Sequence, residues 1–337
     1  MRGMKIAFFE LEGWEEKIIR ANFPNEELSF FDGHFDDLTP PPKNEFDVVS
    51  IFVDSKITPK TLARFPNLKF LTTRSTGYDH IDLKALKKRN VQAAYVPGYG
   101  DNTVAEFAFG LILNLTRKIY LAIDQVKEIE SFDLKNLRGM DLKNKTIGVV
   151  GTGRIGKEVI RIAKGFGLNV LAYDPFPKND LAKLIGYEYV SLTDLLKNSD
   201  IVTIHCPYNR KTRHLLNKKN IKFVKRGAYL VNTARGGIVE TEALVLALNE
   251  GILAGAALDV LEEEGETKDE MKFLSAIGGH GENLRTILEN HILMKMPNVL
   301  ITPHNAFNSQ EALERILNTT IQNIKSFLAG RPENLVP

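Results

Sequence analysis

Cysteine is nearly missing from this chain of 337 residues. Cys206 stands alone, so no disulfide can close within it, and a reducing, cytoplasmic setting is the expectation. Long hydrophobic runs are missing too. The most apolar stretch, Phe107 to Leu115, is shorter than a membrane span and is interrupted by Gly110 and Asn114. The run Ile6-Ala7-Phe8-Phe9 is too brief for the apolar region of a signal peptide, and Glu10 and Glu12 follow it closely. Neither sign of charge dominates: 44 Lys and Arg against 42 Asp and Glu leave +2, which gives no footing for nucleic acid. There is no internal repeat, no low-complexity tract, no H-E-x-x-H pair, no Walker sequence and no nucleophile elbow. Cys206 beside His205 makes a poor start to a zinc site, and no metal is expected. What is present is 43% hydrophobic and 26% charged residues, a soluble globular composition with room for two domains.

Short β-branched runs alternate with segments of helical length, the pattern of an α/β protein with parallel sheets. Strands are predicted at Lys5–Phe9, Asp47–Ile51, Lys69–Thr73 and Gln92–Tyr95, with Pro40-Pro41-Pro42 as loop. Pro97-Gly98-Tyr99-Gly100 breaks the pattern and is a candidate hinge. A long apolar helix starts at Val104. A second set of strands is predicted at Thr146–Val150, Val170–Tyr173, Ile201–Ile204, Tyr229–Val231, Ala254–Leu258 and Val299–Thr302. Residues 262–296 read as a long excursion, and Glu311–Leu328 as an amphipathic helix. The expected layout is one domain from residues 1–100 plus 301–337, and an inserted one from 101–300.

Thr146–Val150 leads directly into Gly151-Thr152-Gly153-Arg154-Ile155-Gly156, and a helix follows. In a strand–turn–helix setting the first glycine permits the tight turn. The second lets a pyrophosphate approach the backbone, and the third lets helix and strand pack closely. The helix N-terminus then offers amides to phosphate. A further strand ends at Asp174, 18 residues past Gly156, where a carboxylate can take ribose hydroxyls and repel a 2′-phosphate. NAD is therefore expected over NADP.

Three further residues carry chemistry. Arg235, in Asn232-Thr233-Ala234-Arg235-Gly236-Gly237, follows a predicted strand, where its guanidinium could hold a carboxylate through two hydrogen bonds; taken alone it reads better as a surface arginine, and the flanking glycines, which let backbone and ligand come close, shift the balance toward a ligand. His304, in Thr302-Pro303-His304-Asn305, also follows a strand and could serve as acid and base. Glu264 closes the run Glu262-Glu263-Glu264. A carboxylate against an imidazole would keep it protonated, although spacing alone does not choose among the three glutamates.

Several stretches, in order, resemble the D-isomer-specific 2-hydroxyacid dehydrogenases, most closely their D-lactate dehydrogenase branch. The carriers are Ser75-Thr76-Gly77-Tyr78-Asp79-His80-Ile81-Asp82, Val96-Pro97-Gly98-Tyr99-Gly100 through Glu106, the glycine turn, His205-Cys206-Pro207, Asn232 to Gly236, Asp259 to Glu264, and Thr302-Pro303-His304. The resemblance spans nearly the whole chain. It implies a flavodoxin-like substrate domain and an inserted Rossmann domain for NAD. It assigns Arg235 to the substrate carboxylate and carbonyl, His304 to acid/base work, and Glu264 to raising the pKa of the histidine. Amides at Thr76 and Gly77 would bind the carboxylate, with Tyr99 nearby. Arg154 and Ile155 would meet the pyrophosphate and Asp174 the ribose. Cys206, Pro207 and Thr212 would line the adenosine side, and Thr233, Ala234 and Asp259 the nicotinamide side. A homodimer through the NAD domains, with the helix from Val104 in its interface, is also implied.

The long segment between Glu264 and His304 favours the lactate branch. Leu261, where tyrosine is usual, and Asn308, where an aromatic or small residue is common, depart from it. The implied reaction is NADH-dependent reduction of pyruvate to D-lactate. Phenylpyruvate, 2-ketoisocaproate or hydroxypyruvate are alternative substrates, and an NAD-sensing co-repressor-like scaffold is a non-catalytic alternative.

Overall fold

A computed structural model of the chain describes residues 3–41, 44–264 and 281–336. The chain divides into two compact units, Met1–Tyr99 with Ser309–Pro337, and Gly100–Asn308. Residues 301–308, expected with the first unit, thus belong to the second. The last strand of the second sheet ends at Ile301, and the loop beyond it is hydrogen-bonded to Asp259 within the same unit.

The first unit is a five-stranded parallel sheet of β1 (Lys5–Phe9), β2 (Glu27–Phe31), β3 (Val48–Ile51), β4 (Phe70–Thr73) and β5 (Gln92–Ala94). Their spatial order, β2-β1-β3-β4-β5, is the flavodoxin-like one. Side chains alternate between two cores, as a period of two requires. Ala7, Phe9, Val49, Ile51 and Leu71 face one core, and Ile6, Phe8, Val48 and Phe70 face the other. The helix Gln310–Leu328 covers the second face with Leu317, Ile321 and Ile324, and its Phe327 stacks on Phe70 at 4.4 Å. β2 has no counterpart among the predicted strands. It pairs only with β1 and none of its residues is buried, so its hydrophobic signal is diluted.

The second unit is a seven-stranded parallel sheet. Its strands are β6 (Thr146–Val150), β7 (Asn169–Tyr173), β8 (Glu188–Tyr189), β9 (Ile201–Ile204), β10 (Ala228–Asn232), β11 (Leu253–Leu258) and β12 (Val299–Ile301). They lie in the order β12-β11-β10-β9-β6-β7-β8. The chain winds outward in both directions from β6 and β9, which makes their carboxyl ends a topological switch point, the place where open α/β sheets bind ligands. Ile147, Val149, Ile201 and Val231 face the helices Asp101–Arg117 and Arg154–Gly165, while Val150, Val202, Ile204 and Leu230 fill the opposite core. Residues 265–280 of the expected excursion lie outside the described residues, as does Pro42. The helix Gly281–Lys295 leads back to β12, burying Leu293 and sending Asn290 Nδ2 to the Glu262 carbonyl at 2.8 Å. Among the described residues no helix is long and apolar enough to cross a membrane.

Candidate active site

At the carboxyl end of β6 the chain turns through Gly151, whose φ of +94° is costly for any residue with a Cβ. Gly151 lies against the backbone of Cys206, so the two loops at the switch point touch. A Cβ at Gly156 would strike the Gly151 carbonyl, whereas nothing lies within 4 Å of one at Gly153. Gly153 is also the N-cap of the helix Arg154–Gly165 and brings no side chain to cap it. The first-turn amides, those of Arg154 and Ile155 included, therefore end in an uncapped, open cradle suited to an anion. The Arg154 guanidinium meets Asp101 at 2.7 Å, and the Ile155 side chain packs into the core.

Beyond β7, Asp174 Oδ2 accepts from the Thr152 amide at 2.8 Å and the Thr152 hydroxyl at 3.0 Å, and Oδ1 accepts from the Phe176 amide at 2.9 Å. Across the switch point, burial pushes the Cys206 thiol up to about 11, so it is a neutral wall rather than a nucleophile. Exposed Pro207 accepts the Thr212 hydroxyl at 2.6 Å on its carbonyl, which closes the turn that follows. Two buried polar atoms here have no hydrogen-bond partner, Thr233 Oγ1 and His205 Nδ1. Burial holds His205 down to about 3, hence neutral. Orphaned polar atoms beside an open helix N-terminus and a carboxylate suit a dinucleotide, whose amide and hydroxyl groups would satisfy them.

After β10, Asn232 staples its loop: Oδ1 accepts the Ala234 amide at 3.0 Å and Nδ2 donates to the Arg235 carbonyl at 2.9 Å. Arg235 Nη1 donates to the Ala234 carbonyl at 2.8 Å. A Cβ on Gly236 would run into the Leu261 carbonyl and the Glu262 amide. This glycine contact presses the Arg235 loop against the segment that leads to Glu264.

Glu264 Oε2 lies 3.3 Å from His304 Nδ1, with the two side chains 20% and 25% exposed. The φ of His304 is +55°, an uncommon conformation for a residue with a bulky side chain. Asp259 holds it there. Its fully buried carboxylate accepts from the Thr302 hydroxyl at 2.5 Å, the Asn305 amide at 2.8 Å and the Ala306 amide at 2.8 Å, and its carbonyl accepts the His304 amide at 2.9 Å. Burial raises the Asp259 pKa even against those bonds. Glu262 turns the other way, to His214 Nε2 at 2.6 Å and the Thr241 hydroxyl at 2.9 Å. No sequence signal separates His214 or Glu262 from ordinary polar residues, because the partners that Glu262 meets lie 21 and 48 residues away along the chain.

In the first unit, Thr76 and Gly77 sit beyond β4. The Thr76 hydroxyl donates to the Val96 carbonyl at 2.7 Å and the Ser75 hydroxyl to the Gly77 carbonyl at 2.7 Å. Among the described residues neither Thr76 nor Gly77 gives its amide to a protein acceptor. Beneath them Arg74 is buried, donating to the carbonyls of Phe9 and Glu10. The Tyr99 carbonyl accepts from Arg315 Nε at 2.7 Å.

The family model for the NAD-binding domain of D-isomer specific 2-hydroxyacid dehydrogenases matches residues 109–306. A 2-hydroxyacid dehydrogenase homolog of Zymomonas mobilis is 35% identical, covering 99% of this chain and 100% of its own. An aromatic 2-oxoacid reductase of Clostridium sporogenes is 36% identical over 86% of this chain and 85% of its own. Among solved structures, the D-lactate dehydrogenase of Aquifex aeolicus, complexed with NAD and lactic acid, superposes with a TM-score of 0.87 at 34% identity, covering 98% of both chains.

Proposed function

The chain belongs to the NAD-dependent D-2-hydroxyacid dehydrogenases, oxidoreductases that act on the CH–OH group of 2-hydroxy acids, and from that premise we propose that it reduces pyruvate to D-lactate. The observation that carries the reading is the Glu264–His304 pair, held on the same strand ends as Arg235. NADH, when bound, supplies the hydride to C2. His304 gives the proton from Nε2 to the carbonyl oxygen, and Glu264 stabilises the imidazolium through Nδ1. Arg235 and the amides of Thr76 and Gly77 hold the carboxylate and polarise the ketone, and Tyr99 borders the substrate. In the reverse direction neutral His304 takes the hydroxyl proton.

The cofactor rests on the Gly151–Gly156 cradle with the amides of Arg154 and Ile155 on its pyrophosphate. Asp174 takes the adenosine ribose, with Cys206, Pro207 and Thr212 on that side. Thr233, Ala234 and Asp259 fall toward the nicotinamide. Asp174 also favours NAD over NADP, since a carboxylate repels a 2′-phosphate. The protein works in the cytoplasm as a homodimer formed through the NAD-binding unit.

The deciding experiment follows NADH absorbance at 340 nm with pyruvate and resolves the product on a chiral column. Oxidation that yields D-lactate is the expected result. Turnover of phenylpyruvate or 2-ketoisocaproate in preference to pyruvate would keep the chemistry and replace the substrate. Silence across a panel of keto acids, with NADH still bound, would sink the catalytic reading in favour of a scaffold.

A further inference from the structure

Asp174 is the visible end of a longer polar chain. β8 is the outermost strand beside β7, and it brings the Tyr189 hydroxyl to 2.8 Å from Thr152 Oγ1. Tyr187, the residue just before the strand, places its own hydroxyl 3.1 Å from that of Tyr189, with the two rings edge to face at 5.3 Å. Thr152 and Tyr187 are buried, at 4% and 8% exposure. The direction of every proton in this chain is fixed by elimination. An ionised carboxylate only accepts, so the single Thr152 proton goes to Asp174 Oδ2. Thr152 Oγ1 must then accept from Tyr189, and the Tyr189 oxygen from Tyr187. The Tyr187 phenol is pushed well above its ordinary range by burial, by its bond to Tyr189 and by the charge of Asp174, so it remains a donor at neutral pH.

The arrangement also settles which carboxylate oxygen is open. Oδ2 already takes two donors, the Thr152 amide and hydroxyl. Oδ1 takes one, the Phe176 amide, and keeps a free lone pair. We propose that Tyr189, acting through Thr152 with Tyr187 behind it, is a positioning residue for cofactor selection. It locks Asp174 so that the spare Oδ1 lone pair is presented to the adenosine ribose hydroxyls, and the carboxylate cannot swing aside for a 2′-phosphate. Aligned hydroxyl donors polarise one another, so the hydroxyl farthest from the ligand contributes. The inference rests on the NAD reading above and adds to it Tyr189 on the edge strand, one hydroxyl removed from Asp174, and Tyr187 just before that strand, two removed.

The test measures dissociation constants of NADH and NADPH, by the change in nicotinamide fluorescence, for the full chain and its variants. Tyr189→Phe removes one hydroxyl and keeps the ring. It should weaken NADH by roughly 3- to 10-fold, the usual yield of one lost hydrogen bond, and leave NADPH unchanged or tighter, so the NADPH-to-NADH ratio of dissociation constants falls. In turnover the loss should appear in KM for NADH rather than in kcat. Thr152→Val should do the same, and Thr152→Ser, which restores the hydroxyl, should recover the wild-type ratio. A Tyr189→Phe protein with both constants unchanged would overturn the relay and leave the NAD reading standing. A parallel loss for both dinucleotides would reduce Tyr189 to general packing and likewise overturn it. Wild-type protein that binds neither dinucleotide would remove the relay and the cofactor reading together.

Discussion

Glu262 and Glu264 are two residues apart, and each carboxylate meets a histidine: His214 Nε2 at 2.6 Å and His304 Nδ1 at 3.3 Å. Glu263 between them has a φ of +53°, and this turn sends its neighbours in different directions. Glu262 also takes the Thr241 hydroxyl and therefore clasps the loop to the body of the unit. Glu264 is left to the imidazole on the loop that Asp259 shapes. A carboxylate beside an imidazole favours the charged ring, so its removal lets the ring lose its proton at lower pH. The proposed reduction consumes that proton. With the pair 3.3 Å apart, Glu264→Gln should therefore keep reduction at acid pH and lose it earlier as pH rises. Oxidation needs the neutral ring and should gain over the same interval. Profiles of kcat/KM against pH in both directions check this, and profiles coincident with wild type would remove Glu264 from the proton path.

At the scale of elements, the site is a set of strand ends joined by close backbone contacts. The runs that form β6, β9 and β10 are legible because they are buried on both faces and read as continuous apolar segments. The glycine turn and the loops bearing Arg235 and His304 follow from their position just after such runs. β2 and β8 are not legible: β2 is half-exposed, and β8 has two residues, Glu188 and Tyr189. The reach of Asp259 from the end of β11 into the loop after β12 is equally invisible, since it spans more than forty residues and depends on the pairing of those strands. The same holds for Gly236, whose lack of a side chain matters only because the Leu261–Glu262 backbone lies on it. Gly236→Ala would force those two loops apart and with them Arg235 from Glu264. Misplacement of this kind is costly in catalysis even without loss of fold. A drop in kcat of at least 10²-fold is expected, with NADH affinity nearly retained. Wild-type turnover in this variant would show that the loop contact does not set the active geometry.

At the scale of the whole molecule, the second unit carries an apolar surface that its own core does not use. The helix Ile119–Ile129 buries none of its residues. Ile119, Ile123 and Val126 recur along one face at helical spacing, and Ile129, Phe132 at 84% and Leu134 at 81% are exposed at and just beyond the end of the helix. The preceding helix, Asp101–Arg117, turns its apolar side inward and leaves Asn102, Glu106, Gly110 and Arg117 exposed. For the proposed dimer, this neighbouring stripe is offered as the contact alongside the helix from Val104. An unburied apolar helix stripe of this kind is disfavoured on a lone unit and matches the core of a subunit interface. A second copy is the occupant proposed here, because a self-complementary stripe closes a two-fold dimer and satisfies both copies at once. Light scattering on the purified protein should then give twice the 37.8 kDa of one chain. Ile123→Glu with Val126→Glu, which places charge at the middle of the stripe without touching the Rossmann core, should shift the protein to monomer at micromolar concentration. NADH binding by the monomer should persist, since every group proposed to hold the cofactor lies within one chain. A wild-type monomer, or a doubly substituted protein that stays dimeric, would move the subunit contact elsewhere or abolish it.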